Sequence, residues 1–184
     1  MASAFGHVAV AYALGKTFRL PISAWRLWSF SVVCCLLPDV DVVGFFVGIP
    51  YGHMWGHRGF THSIVFAILV GLVVPRLVLS TISYWTPTYW MSALYFSLVT
   101  MSHGFLDSLT DGGLGIAFFA PFDSTRYFFP FRPLTVSPIG ITQFFSKWGM
   151  GVLLSEFMWI GIPVGIWLVV LQITRRTGTK GAQG

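Results

Sequence analysis

Residues 53–63 read His53-Met54-Trp55-Gly56-His57-Arg58-Gly59-Phe60-Thr61-His62-Ser63, and place three of the chain's 5 histidines and an arginine in one short stretch. Upstream lies Leu36-Leu37-Pro38-Asp39-Val40-Asp41, and downstream Ser102-His103-Gly104-Phe105-Leu106-Asp107, with Asp111 one helical turn further on. The surrounding sequence is apolar, so solubility gives no reason to cluster His and Asp. A lone histidine satisfying a hydrogen bond in a core is an ordinary feature. Three islands, each at the end of an apolar segment, point instead to a bound ligand.

Composition sets the environment of these islands. Of 184 residues, 55% are hydrophobic and 9% charged, with a mean hydropathy of +0.75; globular domains carry about 25% charged residues. The expectation is an all-α, polytopic membrane helix bundle of about four to five apolar helices, with an irregular aromatic and proline-rich outer segment. Residues 1–174 form one domain and residues 175–184 a short polar tail. The 8 Trp, 6 Tyr and 18 Phe suit a lipid interface. A net charge of +5 is spread without a basic run, which gives nucleic-acid binding no support. Cys34 and Cys35 are adjacent within an apolar stretch and read as small buried hydrophobes.

The apolar segments run over residues 2–15, 22–37, 61–81, 88–106 and 149–173. The first contains His7 and lacks a preceding basic stretch, so it reads as a retained helix rather than a signal peptide. Pro38 stops the second segment, and residues 42–60 read as a surface loop. Thr61 is the expected N-cap of the third and Pro75 its kink. If each segment crosses the membrane, Lys16, Arg19, Arg26, Arg76, Arg175, Arg176 and Lys180 share one side, and Arg58, Arg126, Arg132 and Lys147 the other. The positive-inside rule makes the first side cytoplasmic. His7 and all three islands then fall together on the opposite, outer face.

His103 and Asp107 are spaced i, i+4 and share a helix face. Asp39 and Asp41 bracket one residue and point into one pocket on an extended turn. With His7, His57 and His62 they form a set of nitrogen and oxygen donors suited to a divalent metal, one or two Zn2+, or Mn2+ or Fe2+. Seven candidates exceed the needs of one catalytic zinc, which favours a two-metal site. Asp41, Arg58 and Asp111 are the candidate catalytic residues, Asp41 being either a ligand or an acceptor that fixes a histidine. Arg58, Arg126 and Arg132 are candidates for gripping a substrate phosphate through paired donors. Glu156, the single glutamate, sits inside the last apolar segment, where a buried acid is either paired structurally or lines the site from below.

Leu-Leu-Pro-Asp-Val-Asp, His-Arg-Gly-Phe-Thr-His-Ser and Ser-His-Gly-Phe-Leu-Asp-Ser-Leu-Thr-Asp-Gly-Gly, with the early His7, resemble the membrane-bound metal-dependent hydrolases, the group of LexA-regulated inner-membrane hydrolases of bacteria. The aromatic stretch between Gly113 and Ile139 resembles one branch of that group. The motif set is also loosely similar to zinc-dependent phospholipase C and P1-type nucleases. The resemblance implies a hydrolase of the bacterial inner membrane, with the site then on its periplasmic face. The donors and arginines make the leading expectation a metal-dependent hydrolase acting on a lipid-borne phosphoester or diphosphate, with no obligate protein partner. Two other classes remain: a metal or proton transporter, which needs its donors at mid-membrane depth, and a non-catalytic protein with a structural metal. The aromatic segment 116–145 is expected to cover the mouth of the site, with Arg126 and Arg132 pointing inward.

Overall fold

The computed structural model describes residues 1–79 and 82–180, and of residues 141 and 178–180 the backbone alone. Thr81, at the expected end of the third segment, and residues 181–184 of the tail lie outside the described residues, as does the side chain of Lys180. Among the described residues the fold is helical and contains no β-strand.

Helix α1 (Ala4–Thr17) is rich in alanine, the best helix former. Helix α2 (Ala24–Leu36) meets Pro38, which has no N–H to continue the α-helical ladder. The chain does not break into a loop there, as the sequence reading expected. It continues as a 3-10 helix over Leu37–Val47, with Pro38 in its first turn and Gly48 in the left-handed region closing it. Pro38 supplies no N–H to the last carbonyls of α2, so the α-helical ladder is cut there while the chain winds on. The irregular stretch is therefore shorter than expected, and the Asp39/Asp41 pair sits on a helix. A second 3-10 turn, Phe60–His62, leads into α3 (Ile64–Val78). The cap of α3 is Ser63, whose hydroxyl accepts from the Phe66 N–H, and not Thr61. Pro75 lies within α3. Helix α4 (Pro87–Ser108) is capped by Thr86. After an irregular stretch come α5 (Ile141–Phe144), α6 (Lys147–Glu156), a π-turn (Phe157–Gly161) and α7 (Ile162–Lys180).

Helices α1 to α4 share one apolar core. Tyr95, Phe96 and Val99 of α4 meet Val70, Val74 and Val78 of α3, Cys34 and Cys35 of α2 and Ala11 of α1. Both cysteines are buried free thiols, as their apolar context implies. Burying Tyr95 requires a partner for its hydroxyl, supplied by Ser31 at 2.6 Å.

The two ends of the bundle differ in chemistry. At one end Arg26 donates to the carbonyl of Val78, and Arg175 donates to those of Lys16 and Thr17. At the other end His7, Asp39, His62, His103 and Asp107 meet. Two runs, Ala24–Val47 and Lys147–Thr177, are long and apolar enough to cross a membrane. The remaining helices of the expected bundle are less clear-cut: α1 and α3 have 14 and 15 residues, and α4 mixes serines, His103 and Asp107 into its 22 residues.

Candidate metal centre

The site forms where four elements present one or two residues each. Helix α4 carries His103 and Asp107 on one face, both fully buried. Between them, Gly104 lets the 62–63 backbone approach: a Cβ at this position would lie 2.7 Å from the His62 carbonyl oxygen. The 3-10 turn 60–62 delivers His62, the 3-10 helix 37–47 delivers Asp39 and Asp41, and α1 delivers His7. Four donor groups, those of Asp39, His62, His103 and Asp107, offer atoms lying within 4.8 Å of one another. His62 Nε2 is 3.6 Å from Asp39 Oδ1 and 3.9 Å from Asp107 Oδ2, and His103 Nε2 is 3.2 Å from Asp39 Oδ1. His7 flanks this group. Its ring stacks on that of His103, with centroids 3.8 Å apart, and its Nε2 is 3.4 Å from Asp107 Oδ1.

The decisive feature is what these atoms lack. His7 Nε2, Asp39 Oδ1, His62 Nε2, His103 Nε2 and Asp107 Oδ2 are buried without a hydrogen-bond partner in the protein. Buried polar groups are normally paired, because leaving one unpaired costs about 1–3 kcal/mol. Five such atoms converging on one point fit a divalent cation, which takes nitrogen and oxygen lone pairs together.

The surroundings aim those lone pairs. His103 Nδ1 lies 2.7 Å from the Cys35 carbonyl oxygen, which fixes the proton on Nδ1 and turns Nε2 inward. Asp41 accepts from the Thr61 hydroxyl at 2.6 Å and from the Arg58 backbone N–H at 3.2 Å. It also pairs with His57 Nδ1 at 2.7 Å and lies 3.2 Å from His62 Nδ1. Asp41, His57 and His62 form a second group with metal-ligand geometry, sharing His62 with the first. In it Asp41 and His57 are hydrogen-bonded to each other, whereas no hydrogen bond joins members of the first group. Burial alone opposes charge on His62, yet the carboxylates of Asp39 and Asp41 outweigh it and raise its pKa to about 9. The pocket therefore favours a cation.

The arginines take positions the sequence reading did not expect. Arg58 is fully buried, with a backbone φ of 64° that non-glycine residues rarely adopt. Its guanidinium donates to the carbonyls of Gly112 and Leu114 and to the Thr110 hydroxyl, and its Nε lies 3.3 Å from Asp107 Oδ2. Its terminal N–H groups are committed to the 110–114 turn, and its Nε places a counter-charge beside Asp107. Arg126 donates to the carbonyls of Tyr51, His53, His57 and Gly115 and so clasps the 51–57 loop to the aromatic segment. Arg132 is exposed, over the Phe128 ring at 4.8 Å. Asp111 is also exposed: its carboxylate accepts from the Val136 N–H, and it takes no place in the cluster. Arg126 and Asp111 thus have backbone partners, whereas Arg58 keeps a buried Nε that faces Asp107 without a hydrogen bond.

Several contributors carry no signal in the sequence. The Cys35 carbonyl is a backbone group, and Thr61 had a competing reading as a cap. Ala2 donates its N–H to Asp107 Oδ1 at 2.6 Å, a contact made across 105 positions of sequence.

The family profile of the YdjM inner membrane proteins matches residues 1–178, which include every residue of the cluster. Inner membrane protein YbcI of Escherichia coli K12 is 33% identical over 177 residues, covering 96% of this chain and 100% of its own. Inner membrane protein YdjM of the same organism is 41% identical over 54 residues, 24% of this chain and 28% of its own. No solved structure matches. The membrane half of the expected resemblance is met by these relatives, and the hydrolase half is carried by none of their names. The chain belongs to the YdjM inner membrane protein family.

Proposed function

We propose that this protein is an integral-membrane metal-dependent hydrolase that cleaves a phosphoester or diphosphate of a lipid. One divalent cation would lie among Asp39, His62, His103 and Asp107, with His7 beside them. The observation that carries this reading is the convergence of five buried, unpartnered donor atoms from four elements. The set has no thiolate, so zinc, manganese and iron(II) all suit it. A cation held there supplies Lewis-acid activation of water and of the substrate oxygen.

The chain's own residues complete the chemistry. Asp39 has a side chain 17% exposed where those of His62, His103 and Asp107 are at 0%, so water and substrate approach from its side. Asp41 orients His57 through Nδ1, which leaves His57 Nε2 as proton acceptor. Arg58 balances the charge of Asp107 from behind. A cavity of about 460 Å³ beside Asp41 and Thr61 is otherwise lined by Leu37, Val40, Gly44, Ile49, Trp55 and Phe66. It suits the apolar part of a lipid. Val40, Val43, Phe46 and Val47 are exposed on the ligand-bearing 3-10 helix, as expected of a wall facing acyl chains.

In this reading α1, α2, α3, α4 and the α6–α7 run each cross the bilayer, the short α1 and α3 packed among the others. The end bearing Lys16, Arg26 and Arg175 is cytoplasmic and the metal centre periplasmic. A structural metal is the second reading, favoured by the complete shielding of His7, His62, His103 and Asp107. The test is phosphate release from polyprenyl diphosphate and phospholipid in detergent, with and without chelator. Release that stops on chelation and in His103→Ala, while the chelated protein stays folded, supports the hydrolase. Unfolding on chelation, with no release from either lipid, supports the structural metal.

A further inference from the structure

Glu156 is an acid in a run that is otherwise apolar enough to span the membrane and is 6% buried over that window. Its own side chain is buried, and an acid at such a position is retained at a cost. Glu156 Oε1 accepts the Ser3 backbone N–H in a short hydrogen bond, and Oε2 accepts the Ser3 hydroxyl at 2.6 Å. The residue before Ser3 is Ala2, whose N–H donates to Asp107 Oδ1 at 2.6 Å and leaves Oδ2 turned toward His62 Nε2 and Arg58 Nε. Gly6 permits this approach of α1 to the long helix, since a Cβ there would lie 3.1 Å from the Glu156 carboxyl carbon and 2.9 Å from Ile160. The helix departs from α geometry in the turn that follows, Phe157–Gly161, and such π-turns often accompany a functional residue.

We infer that Glu156 is a positioning residue for the metal centre: through Ser3 and Ala2 it fixes the orientation of Asp107. This rests on the metal reading above and adds to it a role for the last membrane run, which gives no residue to the donor set itself. Glu156 grips two donors of one residue, and the next donor along the chain is spent on the ligand carboxylate. A mere tie between α6 and the bundle needs no such alignment. Another tie exists for comparison: Ser155 accepts the Thr135 N–H at 3.0 Å and does not reach Asp107.

The test is Zn2+ affinity of the full-length protein in detergent, by competition with a chelating dye, together with thermal unfolding of the metal-free form. Glu156→Gln keeps the size of the side chain but has one acceptor oxygen for two donors. It should bind Zn2+ about 10- to 100-fold more weakly, the usual cost of losing a group that orients a ligand. Ser155→Ala should bind as the wild type does. Ser3→Ala, which removes the hydroxyl bond alone, should fall between them, and serves if Glu156→Gln does not fold. Wild-type affinity in Glu156→Gln or, where that variant does not fold, in Ser3→Ala overturns this inference alone. Equal loss of affinity and of unfolding temperature in Glu156→Gln and Ser155→Ala does the same, by showing a tie and no more. A wild-type protein that binds no Zn2+ overturns the metal reading, and the positioning role with it.

Discussion

Two regions of the molecule hold polar side chains inside an apolar protein, and they treat them in opposite ways. At the helix ends, His7, Asp39, His62, His103 and Asp107 each keep a buried atom without a partner. In the aromatic segment and its turns, the half-buried Arg126 gives its terminal N–H groups to four backbone carbonyls, and the exposed Asp111 accepts a backbone N–H. Both regions look equally chemical by residue type. Hydrogen-bond satisfaction separates them: the first has vacant donors that a cation could fill, and the second holds the chain. Arg58 stands at the boundary, its terminal nitrogens engaged like those of Arg126 and its Nε directed at a donor of the cluster.

The largest effect should come from the unpartnered atoms. His103→Ala and Asp107→Ala should each weaken metal binding by about 100-fold or more, read as metal content after dialysis. Full metal content in either variant would erase the distinction between the two regions. Asp41 tests the layer between them. It accepts from Thr61, His57 and the Arg58 backbone, so Asp41→Asn should bind about 10- to 100-fold more weakly yet still fill at saturating metal. Complete loss of binding would make Asp41 a ligand and move the centre toward the second His/Asp group. Arg126→Lys should leave metal content unchanged and lower stability by about 1.5–3 kcal/mol, because lysine cannot reproduce a fork serving four carbonyls. Thermal unfolding of purified protein measures it, and loss of metal instead would place Arg126 in the site. The smallest effect is expected at Arg132, exposed over Phe128, where lysine should change stability by less than about 0.5 kcal/mol.

The His/Asp cluster was legible because its side chains are the types that metal chemistry uses, and i, i+4 spacing puts His103 and Asp107 on one helix face whatever the tertiary fold. The 37–47 segment was misread because Pro38 was taken as a stop. Pro38 ends only the α-helical ladder; the chain winds on as a 3-10 helix, and Asp39 and Asp41 then turn to different neighbours: Asp39 toward His103, Asp41 toward His57. For the arginines the sequence is silent, because a guanidinium that grips phosphate and one that clasps a loop have the same sequence signature. What tells them apart is which carbonyls lie within reach, a property of distant residues such as Tyr51 and Gly115. The cap of α3 moved from Thr61 to Ser63 for a similar reason, since the Asp41 carboxylate lies 2.6 Å from the Thr61 hydroxyl.

X-ray absorption at the metal edge of the detergent-purified, metal-loaded protein tests the centre most directly. The expected spectrum shows one metal per chain in a shell of nitrogen and oxygen only, with the outer-ring scattering of imidazoles, and both features lost in His103→Ala. A shell containing sulfur would place the metal at Cys34 or Cys35, and an unchanged spectrum in His103→Ala would place it elsewhere. Either result would contradict the assignment of Asp39, His62, His103 and Asp107 as the metal centre.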